Sequence, residues 1–367
     1  MDIASIDREE KVIGSSKRIR GIDAPSRARK VIREGDVIVS TVRPNLNAVA
    51  QVPPDLDGEI CSTGFCVLRP TEEVLSEFLY FFVRSPNFLT EVAMDLTGAM
   101  YPATSDGKIR SVRLPIPSLE DQHRIVDILK RADGICRLRR QAEYTARHLI
   151  PALFIDMFGD PLRNPDQWPT LLLKEVAEIG SGVTKGRELS GAETVDLPYL
   201  RVANVQDGHL DLTAMKTITI KKTEIEKYTV SPGDFLMTER GDPDKLGRGA
   251  IWTGEVEPCL HQNHVFKVRC DQSKVIPEYL RSLVGSAYAK EYFLRVAKQT
   301  TGIASINKTQ LGNFPALVPP LRNQLEFKER LNGLHAIAEQ QKKGADTADR
   351  LFDSLLRGTF TGQRFTI

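Results

Sequence analysis

The sequence predicts an α+β fold in which two mixed, β-rich blocks are joined by two long antiparallel helices that form a coiled coil, with an internal pseudo-two-fold repeat. Three observations predict this fold: segments that recur half a chain apart, short strand-like runs bounded by Gly and Pro, and two long segments with helical periodicity. The chain has 367 residues. This is more than one hydrophobic core usually organises, so we expect two or more domains.

The repeat consists of several matched segments in the same order. LPIPSLEDQHRIVDIL (114–129) matches ALVPPLRNQLEFKERL (316–331), with each residue 202 positions after its counterpart. VIREGDVIVSTVRPN (31–45) matches TVSPGDFLMTERGDP (229–243), and LTGAMYPATS resembles TTGIASINKT. Chance can produce one such match, whereas several in one order indicate a duplication.

Each half begins with a β-rich block. Strand-like runs include DVIVSTV (36–42), GFCVLRP (64–70) and HVFKVRC (264–270). Each block also contains a helical stretch, SEFLYFFVRS (76–85) in the first and PEYLRSLVGSAYAKEYFL (277–294) in the second. The Gly-Asp pair that precedes the first matched strand of each block is typical of a turn.

Each half ends with a long helix, which we predict over 118–158 and 319–358. Ser118 followed by Asp121 resembles a capping box that opens the first helix. Apolar residues at alternating spacings of three and four form a narrow seam that is typical of a coiled coil. The predicted helix-pairing residues are Ile125, Ile128, Ile135, Arg139 and Leu149 in the first helix and Leu334, Ile337, Gln341 and Leu351 in the second.

Arg139 and Gln341 are the polar members of this seam and occupy equivalent places in the two helices. An antiparallel two-fold pairing would bring them close together, and a polar residue in such a seam can fix its register. The alternatives are that Arg139 extends to solvent and that the helices are an ordinary pair of surface helices.

Composition excludes several classes of protein. The chain carries 50 Lys and Arg against 48 Asp and Glu, and 41% of its residues are hydrophobic. This is a globular composition without a membrane span or an apolar signal region at the start. Five cysteines without a CxxC pair favour reduced thiols and a cytoplasmic location. His261 and His264 have no third ligand spaced near them, so we expect no metal site.

Motifs for catalysis are missing from the sequence. The segment SGVTKGREL (181–189) lacks the GxxxxGK[ST] pattern of a phosphate-binding loop, and neither GxGxxG nor GxSxG occurs. The sequence therefore favours a binding protein over an enzyme.

Polar, Gly-rich segments at corresponding places in both blocks are candidates for DNA contacts, because Arg, Lys, Asn, Gln and His read base edges or hold phosphates. The leading candidates are Arg43, Asn45 and Asn47 in the first block and Arg240, Lys245 and Arg248 in the second. The full set of candidates is Arg43, Asn45, Asn47, Tyr101, Ser105 and Lys108 in the first block and Arg201, Asn204, Arg240, Lys245, Arg248, His261, Gln262, Asn263, Ser305, Asn307 and Lys308 in the second. The alternative is that these residues only close turns, with Arg240, Lys245 and Arg248 pairing with nearby carboxylates.

The chain resembles the DNA specificity subunit of type I restriction-modification systems. The resemblance rests on RARKVIREGDVIVSTVRPNLN, STGFCVLRP, LPIPSLEDQHRIVDIL, WPTLLLKEVAEIGSG and LPYLRVANVQDGHLDL, and on Pro followed by Leu-x-x-Gln at the start of both helices. It implies target-recognition domains over 1–117 and 165–317 and spacer helices over 118–158 and 319–358.

The resemblance also implies partners. The subunit would have no active site and no cofactor of its own. It would bind double-stranded DNA, two methyltransferase subunits and the restriction-translocase subunits, but no membrane. S-adenosylmethionine, ATP and Mg are expected in those partner subunits, and the modified base would be adenine.

One departure from the family pattern concerns the first block. The second block has 33 residues from Trp168 to Leu200 that have no counterpart in the first. A truncated or half-functional specificity fragment is therefore an alternative, as are the recognition chain of another restriction type and, outside DNA binding, a coiled-coil scaffold.

Overall fold

The computed structural model describes residues 1–14, 16, 19–94 and 102–361. The chain divides into two compact units, which we call unit 1 (Met1–Thr145 with Ala338–Ile367) and unit 2 (Ala146–Ile337). None of the described helices combines the length and the apolar character that crossing a membrane requires.

Short strands and helices precede the long helix in each half of the chain. The first half contains β1 Ile6–Asp7, β2 Val12–Ile13, β3 Ala28–Val31, β4 Val37–Ser40, β5 Val49–Gln51, β6 Ile60–Ser62, β7 Phe65–Leu68, α1 Ser76–Arg84, α2 Pro86–Ala93, α3 Asp106–Ser111 and α4 Leu119–Phe158. The second contains β8 Thr170–Leu172, α5 Leu173–Val176, β9 Ala177–Ser181, β10 Thr194–Leu200, β11 Lys216–Lys221, α6 Ile225–Tyr228, β12 Phe235–Thr238, β13 Arg240–Gly241, β14 Gly249–Ile251, β15 Leu260–His261, β16 Val265–Cys270, α7 Pro277–Val284, α8 Ala287–Val296, β17 Lys298–Thr300, β18 Ile303–Ser305, α9 Lys308–Gly312, β19 Pro315–Leu317 and α10 Leu321–Phe360. This mixture of helices and strands is that of an α+β protein.

The central sheet of unit 1 is antiparallel, with β4 between β5 and β7. All four residues of β4 are buried. Val37 and Val39 face the core that contains α1, whereas Ile38 faces a second core with Ile32 and Phe65. A strand covered on both faces reads as a continuous apolar run, which is why this segment shows no polar alternation.

The central sheet of unit 2 has the strand order β14-β12-β16-β9, all pairs antiparallel. Its central strand β12 is also buried throughout. Phe235 and Met237 face the core that contains α7, and Leu236 faces a second core with Trp252 and Val265. The matched Gly-Asp strands of the sequence are thus the central strands of the two sheets.

The Gly-Asp pairs form turns, as predicted. Gly35 has φ +78° and Gly233 φ +91°, the left-handed region that glycine enters without strain. The buried Asp36 then receives two hydrogen bonds from Arg69, at 2.8 and 2.7 Å. Asp234 receives the same pair from Arg269, at 2.7 Å each. These bidentate pairs fasten the turn to the neighbouring strand in each unit.

The long helices are Leu119–Phe158 and Leu321–Phe360, each of 40 residues. The first begins one residue after the predicted 118, and the backbone N–H of Asp121 donates to the Ser118 hydroxyl at 3.2 Å. The second begins and ends two residues later than predicted, because Pro319 and Pro320 lie before its first turn.

Parts of both long helices pack within each unit. In unit 1, Val126 and Leu129 of α4 share a core with Phe352 and Phe360 of α10 and with the aromatic residues of α1. Phe360 lies 5.2 Å from the Phe78 ring, measured between centroids.

In unit 2, Phe154 and Phe158 near the end of α4 share a core with Phe327 of α10 and Tyr279 of α7. The rings of Phe158 and Tyr279 meet edge to face at 4.8 Å. The end of one long helix and the start of the other therefore cover the short helix that follows the central sheet.

The repeated glutamine is fully buried in both units. The Gln122 side chain accepts from Leu75 N at 2.9 Å and donates to the carbonyls of Glu73 and Pro117. It therefore connects the first turn of α4 to the loop that leads into α1. The side-chain amide also provides a hydrogen-bond partner for each of these backbone groups.

Gln324 does the same in unit 2. Its side chain accepts from Ile276 N at 2.9 Å and donates to the carbonyls of Lys274 and Pro319 at 2.9 and 2.8 Å. The Leu-x-x-Gln motif is thus a joint between a long helix and its block.

The structure corrects the position of the predicted seam. Five of the predicted apolar pairing residues are substantially exposed: Ile128 (38%), Ile135 (55%), Leu149 (46%), Ile337 (48%) and Leu351 (62%). On α4 the deeply buried residues Val126, Leu129 and Cys136 each lie one position after a predicted one. Val126 and Leu129 share their core with α1 as well as with α10, and helical periodicity does not reveal the second of these partners.

Candidate nucleic-acid interface

In unit 2, a small antiparallel sheet follows the central strand. Its order is β13-β18-β17, and Arg240 lies opposite Ser305, which lies opposite Lys298. The structure therefore brings Arg240 and Ser305, two predicted contact residues 65 positions apart, to the same place. The Arg240 side chain is exposed.

Unit 1 has the same juxtaposition in a shorter form. Arg43 N donates to the carbonyl of Pro102 at 2.7 Å, and Thr104 N donates to the carbonyl of Thr41 at 2.8 Å. Arg43 is exposed and has φ 49°, a backbone conformation rare for a non-glycine residue. Such strain concentrates at functional sites. The segment after the central strand and the segment that closes the block thus meet in both units.

Asn45 is exposed and Asn47 is half-buried in the turn that follows Arg43. Asn47 has φ 46°, and its side-chain amide donates to the carbonyl of Arg84 at 3.4 Å. Lys11 donates to the backbone carbonyl of Asn47 at 2.6 Å. This leaves Arg43 and Asn45 as the accessible members of the group. Tyr101 lies outside the described residues.

The structure corrects His261, which is completely buried. Its Nδ1 bonds the carbonyl of Val265 at 2.7 Å, and burial lowers its pKa to about 4, so the ring is neutral. The backbone here is tightly packed, since a Cβ on Gly182 would lie 2.0 Å from the His261 carbonyl oxygen. His261 therefore supports β15 and cannot reach a DNA surface.

The neighbours of His261 are more accessible. Gln262 and Asn263 are half-buried, and their backbone N–H groups donate to the carbonyls of Leu200 and Val183. His264 Nδ1 lies 2.7 Å from a Glu239 carboxylate oxygen. Within the described ranges, no group of three or more His, Cys, Asp or Glu is placed to hold a metal ion.

Asn204 is the second correction. It is 2% exposed, accepts from Arg201 N at 3.0 Å and donates to the carbonyl of Asp211 at 2.7 Å. It closes the turn after β10. Arg201 is half-buried, and its guanidinium donates to the carbonyl of Ala214 at 2.7 Å.

Ser105 and Asn307 are exposed and begin short helices at equivalent places, 202 residues apart. The Ser105 hydroxyl accepts from Lys108 N at 3.1 Å, and the Asn307 side chain accepts from Gln310 N at 2.9 Å. These caps hold Lys108 and Lys308 in the first turns of α3 and α9, beside the segments that meet Arg43 and Arg240.

Lys245 pairs with Asp242 at 2.6 Å. This agrees with the alternative that Lys245 pairs with a nearby carboxylate of its own loop. Arg248 is half-buried. Arg240 and Lys245 are both exposed, and Lys245 is engaged with Asp242.

Three residues of the small sheet were not singled out from the sequence: Lys298, Thr300 and Ile303. The signal that could have found them is KQTTGIAS, in which two short runs flank Thr-Gly, a pattern typical of a hairpin. The hairpin pattern alone does not indicate that β18 pairs with β13. It therefore does not predict that these residues lie beside Arg240.

The cysteines do not form a reactive site. All five are free and buried. Burial raises the pKa of the Cys66 and Cys136 thiols to about 11 and of Cys259 and Cys270 to about 12. Because the thiolate is the reactive form, these groups are inert at neutral pH.

Comparisons with known proteins agree on one family. The family model described as "Type I restriction modification DNA specificity domain" matches residues 13–143. The type I restriction enzyme EcoKI specificity subunit of Escherichia coli K12 is 24% identical over 327 residues, which cover 83% of this chain and 69% of that protein.

Two further matches cover different lengths. The MjaX specificity-subunit homologue of Methanocaldococcus jannaschii is 26% identical over 199 residues, 54% of this chain and 46% of that protein, so the match spans less than half of this relative. A solved structure from a study of complex assembly and conformational transition in the type I R-M system is 30% identical. It covers 98% of this chain and 90% of that one, with a TM-score of 0.65. The chain therefore belongs to the DNA specificity subunits of type I restriction-modification systems.

Proposed function

We propose that this chain reads a bipartite DNA target, with the blocks over 1–117 and 165–317 each gripping one half-site. The observation that carries the proposal is the repeated juxtaposition of a cation after the central strand with the segment that closes the block. Arg43 lies beside Pro102 in unit 1, and Arg240 lies opposite Ser305 in unit 2. One scaffold that presents different side chains in its two copies suits a target with two different halves.

We further propose that the helices over 118–158 and 319–358 pair antiparallel as a coiled-coil spacer, related by the internal pseudo-two-fold repeat. Their observed bounds are 202 residues apart at both ends. Within each unit a part of α4 packs on a part of α10. In unit 1 the guanidinium of Arg140 bonds Asp349 at 2.7 Å, and Arg139 lies against Gly344. The proximity of Arg139 and Gln341 stays a prediction.

The exposed apolar residues of the long helices support a role in assembly. Large apolar side chains that stay exposed on a helix can mark a protein interface. The exposed apolar residues on these two helices include Ile128, Ile135, Leu138, Tyr144, Leu149 and Ile155 on α4 and Leu325, Ile337 and Leu351 on α10. We propose that they bind the two methyltransferase subunits and, through them, the restriction subunits.

In this proposal the chain itself is non-catalytic. S-adenosylmethionine, ATP and Mg would be held by the partner subunits. The inert, buried thiols of the chain are consistent with this division of labour.

The function is tested by mapping adenine modification in cells with and without this gene, with the partner genes unchanged. We expect one bipartite motif that disappears when the gene is removed. A motif that persists without the gene would contradict the proposal. A motif with only one defined half would favour the half-functional fragment instead.

The spacer is tested by inserting one heptad into both helices, after Ala142 and after Gly344. Each residue adds ~1.5 Å of helix, so the blocks would move apart by ~10 Å. Base pairs are spaced ~3.4 Å along the duplex, so the gap in the motif should lengthen by about three base pairs, with both half-sites unchanged. An unchanged gap, or a broad range of gaps, would show that the helices do not set the distance. Insertion into one helix alone is the control and should abolish the motif.

A further inference from the structure

One face of the β13-β18-β17 sheet carries two cations, two hydroxyl groups and an exposed isoleucine. In an antiparallel sheet, residues directly opposite one another point to the same side. Arg240, Ser305 and Lys298 are in register across the three strands and therefore share one face. Thr300 and Ile303, also opposite one another, lie two positions along on the same face.

The other face of the sheet is the inner one. Gly241, Ala304 and Gln299 are in register there. Ala304 is fully buried in the core of unit 2. Gln299, at the edge of the sheet, is exposed, and its amide donates to the carbonyl of Leu294 at 3.1 Å. Because this face is held against the core, the face with Arg240 is the solvent side, and Ile303 is 49% exposed on it.

The cations of this outer face are not neutralised by nearby acids. Glu239 is engaged with His264, and Asp242 with Lys245. Among the residues that the structure describes, neither Arg240 nor Lys298 has a carboxylate partner. An exposed isoleucine on the same face as two such cations and two hydroxyls has no evident role in folding.

We infer that this outer face enters the major groove and reads base edges there, with Arg240 and Lys298 at guanine and Ile303 at the methyl group of a thymine. The inference rests on the proposed function and deepens it, because it names the reading surface of unit 2. Arg and Lys pair with guanine N7 and O6, Ser and Thr bond any base edge, and apolar side chains contact the thymine methyl group.

The dimensions of the sheet agree with this assignment. The major groove is ~12 Å wide and admits a two-stranded ribbon such as the β18-β17 hairpin. Strands are spaced ~4.8 Å apart, so the backbones at Arg240 and Lys298 are ~10 Å apart. That distance equals about three base-pair steps of ~3.4 Å. One row of the sheet thus spans a short half-site.

The test combines side-chain and base changes in a double-mutant cycle. The full-length chain, assembled with its methyltransferase partners, is titrated with duplexes that carry the mapped target. In these duplexes each guanine in turn is replaced by 7-deazaguanine, which lacks only N7, and each thymine by uracil, which lacks only the methyl group. The variants are Arg240→Ala, Lys298→Ala and Ile303→Ala.

We expect each variant to become insensitive to one base change in the half-site read by unit 2. Arg240→Ala should reduce discrimination at its guanine by about 5- to 150-fold. Ile303→Ala should remove an about fourfold preference for thymine over uracil, the value of one buried methyl group. Lys342→Ala removes one exposed charge from α10 as the matched control, and it should keep every base sensitivity.

Two results would overturn the inference. In the first, all three variants keep the full set of base sensitivities. In the second, the variants weaken binding to all sequences alike and reduce the salt dependence, which is the signature of phosphate contacts. Failure of the proposed function is distinguishable, because the wild-type complex would then show no sequence preference at all.

Discussion

Replacing Gln324 by leucine tests the joint between the second long helix and its block. Leucine has a similar size and is apolar, so the change removes hydrogen bonds without opening a large cavity. Three backbone groups lose their partner: the buried Ile276 N–H and Pro319 carbonyl, and the part-buried carbonyl of Lys274. Because Gln324 is completely buried, water cannot replace them.

The expected cost follows from these three groups. An unsatisfied buried polar group costs ~1–3 kcal/mol, and carbonyls tolerate the loss better than an N–H. We therefore expect the free energy of unfolding of unit 2 to fall by ~3 kcal/mol. Since ~1.4 kcal/mol corresponds to a factor of ten, amides in the first turns of α10 should exchange with solvent about a hundredfold faster.

Hydrogen exchange monitored by mass spectrometry on the full chain measures this effect directly, peptide by peptide. The matched control is Gln340→Leu, which changes an exposed glutamine of the same helix. Gln122→Leu should produce the same acceleration at the start of α4. If Gln324→Leu changes exchange no more than Gln340→Leu, the buried amide is not the joint that holds the helix to the block.

Two further predictions concern unit 2. Burial lowers the pKa of His261 from 6.5 to about 4, so the unfolded chain takes up a proton as the pH falls through 6.5, whereas the folded chain does not. Stability should therefore be full above pH 6.5 and decline toward pH 4, and urea denaturation of His261→Gln should lack this part of the decline. Asp234→Asn should lower the free energy of unfolding, measured by urea denaturation, by ~2 kcal/mol, because the paired Arg269 and the Ser231 N–H lose a charged acceptor. An equal loss in Ser273→Ala, an exposed hydroxyl, would contradict this assignment.

Local sequence patterns predicted the regular elements of this protein well. Periodicity of three and four residues, with prolines ahead, placed both long helices within two residues of their bounds. The Gly-Asp pairs marked turns because only glycine enters the left-handed region without strain at these positions. These features depend on residues a few positions apart, so a linear sequence carries them.

Burial depended on partners that are distant in the chain. The sequence pattern places the apolar stripe of α4 one position before the most deeply buried residues. Val126 and Leu129 share their core with α1 as well as with α10, and the sequence does not say which face of α4 a second element covers. His261 and Asn204 have the polar chemistry of a binding loop, yet both are buried to complete backbone hydrogen bonds.

The sequence by itself determined the two kinds of element and the two segments of each block that carry polar residues. Only the tertiary structure decided which of those residues share a surface. Arg240 and Lys298 are 58 positions apart and meet because β18 pairs with both of their strands. Strand register is set by the core beneath it, where Ala304 must be buried, and this places the cations outward.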